Sequence, residues 1–110
     1  MAPTTGRLNR EDKPGVVVIR ASGKLDANAG EELVRMTEEA SSALVIVPRD
    51  VVYISSSGIA ALVRLTAKED LRLAEAPTCV RGVLEIAGVE RLFRIFDDEP
   101  AALSASPPVA

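Results

Sequence analysis

The sequence has no histidine and no tryptophan, and only one cysteine, one tyrosine and two phenylalanines among its 110 residues. Each scarcity removes a class of function. Without histidine there is no Ser-His-Asp or Cys-His catalytic arrangement, and the commonest metal ligand is missing. The lone Cys79 cannot close an internal disulfide, and it reads as a small buried hydrophobe rather than a redox sensor. So few aromatic rings cannot build a platform on which nucleic acid bases stack. Basic charge is short as well. Thirteen Lys and Arg against sixteen Asp and Glu give a net charge of −3, the wrong sign for a surface that neutralises a phosphate backbone. No apolar run is long enough to span a membrane, and the opening "MAPTTGRLNRED" lacks the apolar core of a secretory signal. The expectation is a cytoplasmic protein with no membrane span, no nucleic acid partner, no cofactor and no metal.

What the sequence does contain is a 47% share of hydrophobic residues, mostly Ala, Val, Leu and Ile, enough for one core without staples. Residues 1–5 and 104–110 are small, polar or proline-rich and read as flexible tails around a single domain at 6–103. Lys13-Pro14-Gly15 reads as a hairpin turn between two strands, the second running from Val16 to Ala21. Asn28 is expected to cap a helix from about Ala29 to Ser41, with Glu31 completing a variant capping box and Ala29, Leu33, Met36 and Ala40 on its buried face. The apolar run from Ala43 to Val47 reads as a central strand covered by helices. Pro48-Arg49-Asp50 and the short "VVYI" follow, and then Ile59, Leu62, Val63 and Thr66 at helical spacing mark a second helix. Leu71 to Ala76 alternates like a half-buried strand. Pro77-Thr78 opens a third helix with Val80, Val83, Leu84 and Ala87 on one stripe and Gly88 as its left-handed cap. "RLFRIF" reads as a last strand and Asp97 to Leu103 as a last short helix. A hairpin followed by alternating strands and helices predicts an α/β domain, a mixed sheet of four to five strands flanked by about four helices.

The least ordinary stretch is "YISSSGIA", Tyr53 to Ala60, where three serines and a glycine join a β-branched run to the second helix. Ser56 or Ser57 is expected to be the N-cap, its hydroxyl oxygen accepting an orphan amide. A nucleophile elbow would need another glycine and a base, and no serine stands three positions before any lysine. The Walker pattern Gly-x-x-x-x-Gly-Lys-Ser/Thr is absent too, and no convergent pair of carboxylates suggests an enzyme. The chemistry left is a hydroxyl that receives a group from elsewhere. A phosphoryl group at a helix N-terminus faces the positive end of the macrodipole, so the fold tolerates it while the surface changes sign. Ser57, Ala61, Arg64 and Lys68 share one stripe of this helix beside Ser56, and it is expected to be an exposed face whose small residues let a partner approach closely.

From about Gly15 to Leu103 the chain resembles the STAS domain family of anti-sigma factor antagonists and their relatives. Gly23-Lys24-Leu25-Asp26 matches the family's Gly-x-Leu-Asp after the second strand. "YISSSGIAAL" matches its aromatic-Ile-Asp-Ser-Ser-Gly-Leu segment, and "LEIAGVERLFRIFDDEPAAL" its closing helix, glycine, strand and helix. Ser55 stands at the family's aspartate position, and Val47 where many members carry another aspartate. The resemblance implies a partner switch rather than an enzyme: the unmodified antagonist binds an anti-sigma factor with a GHKL-type kinase fold and frees a sigma factor. The kinase phosphorylates the antagonist and a serine phosphatase reverses it. Carried over by position, Ser56 is the phosphoacceptor, with Ser55 and Ser57 as substitutes. Asp26, Ser56, Ser57, Ala61, Arg64 and Lys68 form the expected partner surface, with stabilisation of the turn as the other reading of Asp26. The alternative function is a non-phosphorylated regulatory subunit in a stressosome-like assembly or beside a transport ATPase.

Overall fold

The computed structural model describes residues 6–38, 43–68 and 70–106. A hairpin opens the chain, with β1 (Arg7–Lys13) and β2 (Val16–Leu25) joined through Pro14 and Gly15, whose φ of 76° is the left-handed conformation that glycine adopts without strain. Then come α1 (Ala27–Thr37), β3 (Ala43–Ile54), α2 (Ser56–Leu65), β4 (Leu71–Ala74), α3 (Thr78–Ile86), a 3-10 turn (Glu90–Leu92), β5 (Arg94–Phe96) and α4 (Glu99–Leu103). The sheet has five strands in the order β1-β2-β3-β4-β5. The hairpin pair is antiparallel and the other three pairings are parallel, which makes β3 the central strand. Both faces are covered, as parallel strands require. Val17 and Ile19 of β2 and Leu44 and Ile46 of β3 face the larger core with residues of α1, α2 and α3. Their alternates Val16, Val18, Val45 and Val47 face a smaller core closed by Ala102 and Leu103 of α4.

Several elements depart from the sequence expectations. β3 does not stop at Val47 but runs through Pro48-Arg49-Asp50 to Ile54. Proline has no N–H for a ladder, and the β2–β3 register shifts at this point, from Arg20↔Val47 to Ser22↔Asp50. The irregularity passes the proline through the strand. β2 likewise continues beyond Ala21 to Leu25, and α1 therefore starts earlier than expected. Asp26, not Asn28, is its N-cap, accepting a bond from Ala29 N at 3.1 Å. Ala40 and Ser41, expected in that helix, lie outside the described residues. β4 is buried at all four positions rather than half-buried, because it lies between β3 and β5 with helices on both sides. "RLFRIF" divides into the end of the 3-10 turn and a three-residue strand. Gly88, with φ 74°, ends α3 as expected. Ser104 caps α4, and the Ser106 carbonyl accepts a bond from Arg94 at 2.9 Å. Of the expected tails at 1–5 and 104–110, residues 1–5 and 107–110 lie outside the described residues.

Burial of β4 includes Arg72, which is 4% exposed. Each of its three guanidinium nitrogens donates a bond, two of them to Asp70 at 3.0 and 2.8 Å and one to the Ala102 carbonyl at 2.7 Å. Arg94 reaches the same carboxylate at 3.2 Å. These partners, the Arg72 hydrogen bond foremost, hold the Asp70 carboxyl below its ordinary range. A depressed carboxyl contributes stability above its unfolded pKa, and that contribution is lost as pH falls through the folded value. Thermal melts should therefore show stability falling as the solution is acidified below about pH 4, the ordinary aspartate range. Asp70→Asn should flatten that acid limb, and equal acid slopes for the two proteins would exclude this carboxylate as its source.

Candidate functional site

β2 and β3 are parallel neighbours, and their last residues, Leu25 and Ile54, stand opposite each other. Each strand passes through one residue into a helix, so two turns of the same design lie side by side at the C-terminal ends of these strands. Asp26 caps α1, and Ser55 caps α2 by accepting a bond from Gly58 N at 3.1 Å. The turns are tied together, since Ser55 N donates to the Leu25 carbonyl at 3.1 Å. Gly58 makes that approach possible: a Cβ there would stand 2.0 Å from Leu25 O. Two helix N-termini with their outward N–H dipoles thus share one corner of the molecule.

The three serines do different work. Ser55, not Ser56 or Ser57, is the cap, and it is half-buried. Ser56 and Ser57 are the first two residues of α2 and are exposed. Serine and aspartate are both good N-caps, so a serine at position 55 performs locally what a carboxylate there would perform. Ser55→Ala should cost about 1 kcal/mol of stability, and Ser55→Asp should cost nothing or stabilise through the helix dipole. Equal denaturant midpoints for Ser55→Ala and the parent would show that the cap bond contributes nothing.

Beside the serines, α1 and α2 enclose an open groove of about 200 Å³ lined by Ala27, Glu31, Ser57, Ala60, Ala61 and Arg64. The helices meet closely because Gly30 of α1 has no side chain; a Cβ there would come within 2.8 Å of Ala61 Cβ. This corrects the expected exposed stripe. Ala61 is 5% exposed and packs under α1, and the exposed small residue is Ala60. Lys68 is half-buried, its Nζ donating to the Glu38 carbonyl at 3.2 Å at the far end of the helix pair. Of the expected partner residues, Ser56, Ser57 and Arg64 are exposed and Asp26 is half-buried as a cap. Ala27, Glu31 and Ala60 were not anticipated from the sequence; the one signal for them was Gly30, a small residue inside a helix that permits close approach.

Cys79 is exposed, contrary to the expectation, because it lies in the first turn of α3 off the buried Val80–Leu84 stripe. Its thiol reaches the Val51 carbonyl, at 3.5 Å. Among the described residues no group of three or more Cys, Asp or Glu side chains is placed to hold a metal, and no helix is long and apolar enough to cross a membrane.

A family model described as the STAS domain matches residues 7–102. Among solved structures, an anti-sigma factor antagonist from Mycobacterium paratuberculosis superposes with a TM-score of 0.82 at 24% identity, over 94% of this chain and 95% of that one. The anti-sigma factor antagonist SpoIIAA in its unphosphorylated form gives 0.71 at 23% identity, over 86% of this chain and 92% of that one. The murine anion transporter Slc26a9 gives 0.67 at 18% identity, and its match covers 81% of this chain but 17% of the transporter. At these identities the structures share the fold. No curated protein matches the sequence.

Proposed function

The chain belongs to the STAS domain family, and from that premise we propose that it is an anti-sigma factor antagonist, a partner switch regulated at Ser56. The observation that carries this reading is the division of labour in the serine turn. Ser55 and Gly58 are consumed by the fold, whereas Ser56 offers its hydroxyl to solvent at the start of α2. Such a hydroxyl can gain or lose a phosphoryl group without disturbing the turn that presents it.

In the unmodified form, Ser56, Ser57 and the α1–α2 groove offer an ATP-binding anti-sigma factor a surface of small and hydroxylated side chains. Docking there releases the sigma factor. The partner, a kinase of GHKL type, supplies ATP, magnesium and the base, and transfers the γ-phosphoryl group to Ser56. The added charge of about −1.5 to −2 sits beside the positive end of α2, so the domain stays folded while the docking surface becomes anionic. A serine phosphatase restores the hydroxyl. The protein needs no catalytic residue or cofactor of its own, and its place of action is the cytoplasm.

Affinity capture of the untagged partner from native lysate, followed by identification of the retained protein and incubation with radioactive ATP, tests the proposal. Retention of a nucleotide-binding anti-sigma factor that labels Ser56 is the expected result. A retained partner that never labels the chain would favour a non-phosphorylated regulatory subunit, a reading to which the likeness with a domain of the Slc26a9 anion transporter also lends support.

A further inference from the structure

Ser57 and Ser56 are adjacent and both exposed, but they face different surroundings. Ser57 lines the α1–α2 groove together with Ala60, Ala61 and Arg64 of its own helix; Ser56 does not. Arg64 is exposed and, among the described residues, its side chain has neither ion pair nor hydrogen bond. Arg64 stands seven positions after Ser57, two helical turns or about 10.5 Å along the axis. Side chains of a helix tilt toward its N-terminus, so the long arginine side chain can reach over the preceding turn in the direction of Ser57. Between them are only alanine methyl groups, Ala60 exposed and Ala61 sunk against Gly30. A serine hydroxyl and an uncommitted guanidinium therefore share a groove of about 200 Å³ with nothing bulky between them.

We propose that Ser57 is a second modification position of the serine turn, and that Arg64 holds a phosphoryl group placed there within the groove. The proposal rests on the reading of this turn as a regulated surface. ATP is the donor: a bond forms between Ser57 Oγ and the γ-phosphorus, the bond to the ADP oxygen breaks, and the hydroxyl proton passes to a base of the kinase. The phosphate then meets a planar guanidinium able to donate two parallel hydrogen bonds, and the N-terminal amides of α2 add to the attraction. Glu31, the one carboxylate lining the groove, opposes it from the α1 wall and keeps the phosphate on the α2 side. The two serines thus give different states. A phosphate on Ser56 projects outward as free charge. One on Ser57 is neutralised internally and fills the groove that a partner would enter.

Phosphoserine can be installed biosynthetically at position 57 or 56 of the full chain and its second ionisation followed by 31P NMR. Arg64→Gln is expected to raise the second pKa of the 57 variant by about half a unit or more, and to leave the 56 variant nearly unmoved. Glu31→Gln should move the 57 variant the opposite way. Equal response at both positions, or none at 57, overturns the clamp. Peptide mapping of the chain isolated from its own cells is expected to find phosphate on Ser57 as well as on Ser56; its absence from Ser57 in every growth phase overturns the modification. The titration needs no partner, so its failure is distinguishable from a failure to bind an anti-sigma factor.

Discussion

One methyl group added at Gly58 is expected to lower the thermal midpoint by about 10 to 20 °C, the equivalent of about 2 to 4 kcal/mol in a domain of this size. Helix propensity alone argues the reverse, because alanine is favoured over glycine inside a helix by about 1 kcal/mol. The neighbourhood decides. An added Cβ would lie 2.0 Å from the Leu25 carbonyl oxygen, 2.9 Å from its carbon and 3.1 Å from Ile54 Cγ1. Two of those contacts are backbone, which cannot rotate away as the end of a flexible side chain can. The Leu25 oxygen is also the acceptor for Ser55 N, so relief of the clash pulls apart the bond that joins the two turns. A buried hydrogen bond is then lost in addition to the overpacking. Gly82 is the control. It too is helical, in α3, but a Cβ there meets nothing within 4 Å, and Gly82→Ala should stabilise by about 1 kcal/mol. Differential scanning calorimetry of both variants provides the comparison. A midpoint for Gly58→Ala equal to or above that of the parent would overturn the tight apposition of the two turns.

Ser56→Glu is expected to weaken binding of the cognate anti-sigma factor at least about a hundredfold, or about 2.7 kcal/mol, with the melting temperature unchanged. The two halves of this prediction have one cause. A carboxylate in the first turn of α2 faces the positive end of the helix, where acidic residues are stabilising, and position 56 is exposed. Folding therefore does not suffer from it, and at this exposed position the gain is small. The partner surface does suffer, because a charge desolvated on docking without a counter-ion costs several kcal/mol. Ser56→Ala should bind like the parent and lose the label that the kinase places at residue 56, as shown by peptide mapping after incubation with radioactive ATP. Isothermal titration calorimetry gives the affinities. Undiminished binding by Ser56→Glu would place the docking surface elsewhere on the domain.

Each departure from the sequence reading has a particular cause. Hydrophobic periodicity located the central strand and the three longer helices, because a buried face leaves its mark every two or every three to four residues, whereas the 3-10 turn at Glu90–Leu92 left no such mark. The bounds were harder to read. β3 was cut short at Pro48 because proline breaks an ideal ladder, and a register shift against β2 is invisible without knowledge of the pairing. Asn28 is the expected cap for a strand that ends at Ala21, and because β2 runs on to Leu25 the cap position falls on Asp26.

The sequence by itself determined that this is one α/β domain without histidine chemistry, that a serine turn opens its second helix, and that the turn matches the STAS pattern. These follow from composition, from local periodicity and from short motifs, all of which are properties of neighbours along the chain. The tertiary structure alone decided which serine is which. Ser55 becomes the cap because Ile54 ends opposite Leu25 and brings the Ser55 amide to the Leu25 carbonyl, and that leaves Ser56 and Ser57 exposed. Only the packing of α1 on α2 turned Ala61 inward against Gly30 and left Ala60 and Arg64 on the surface. Helical spacing shows that residues share a face, but which face is buried depends on the neighbour against which the helix comes to rest.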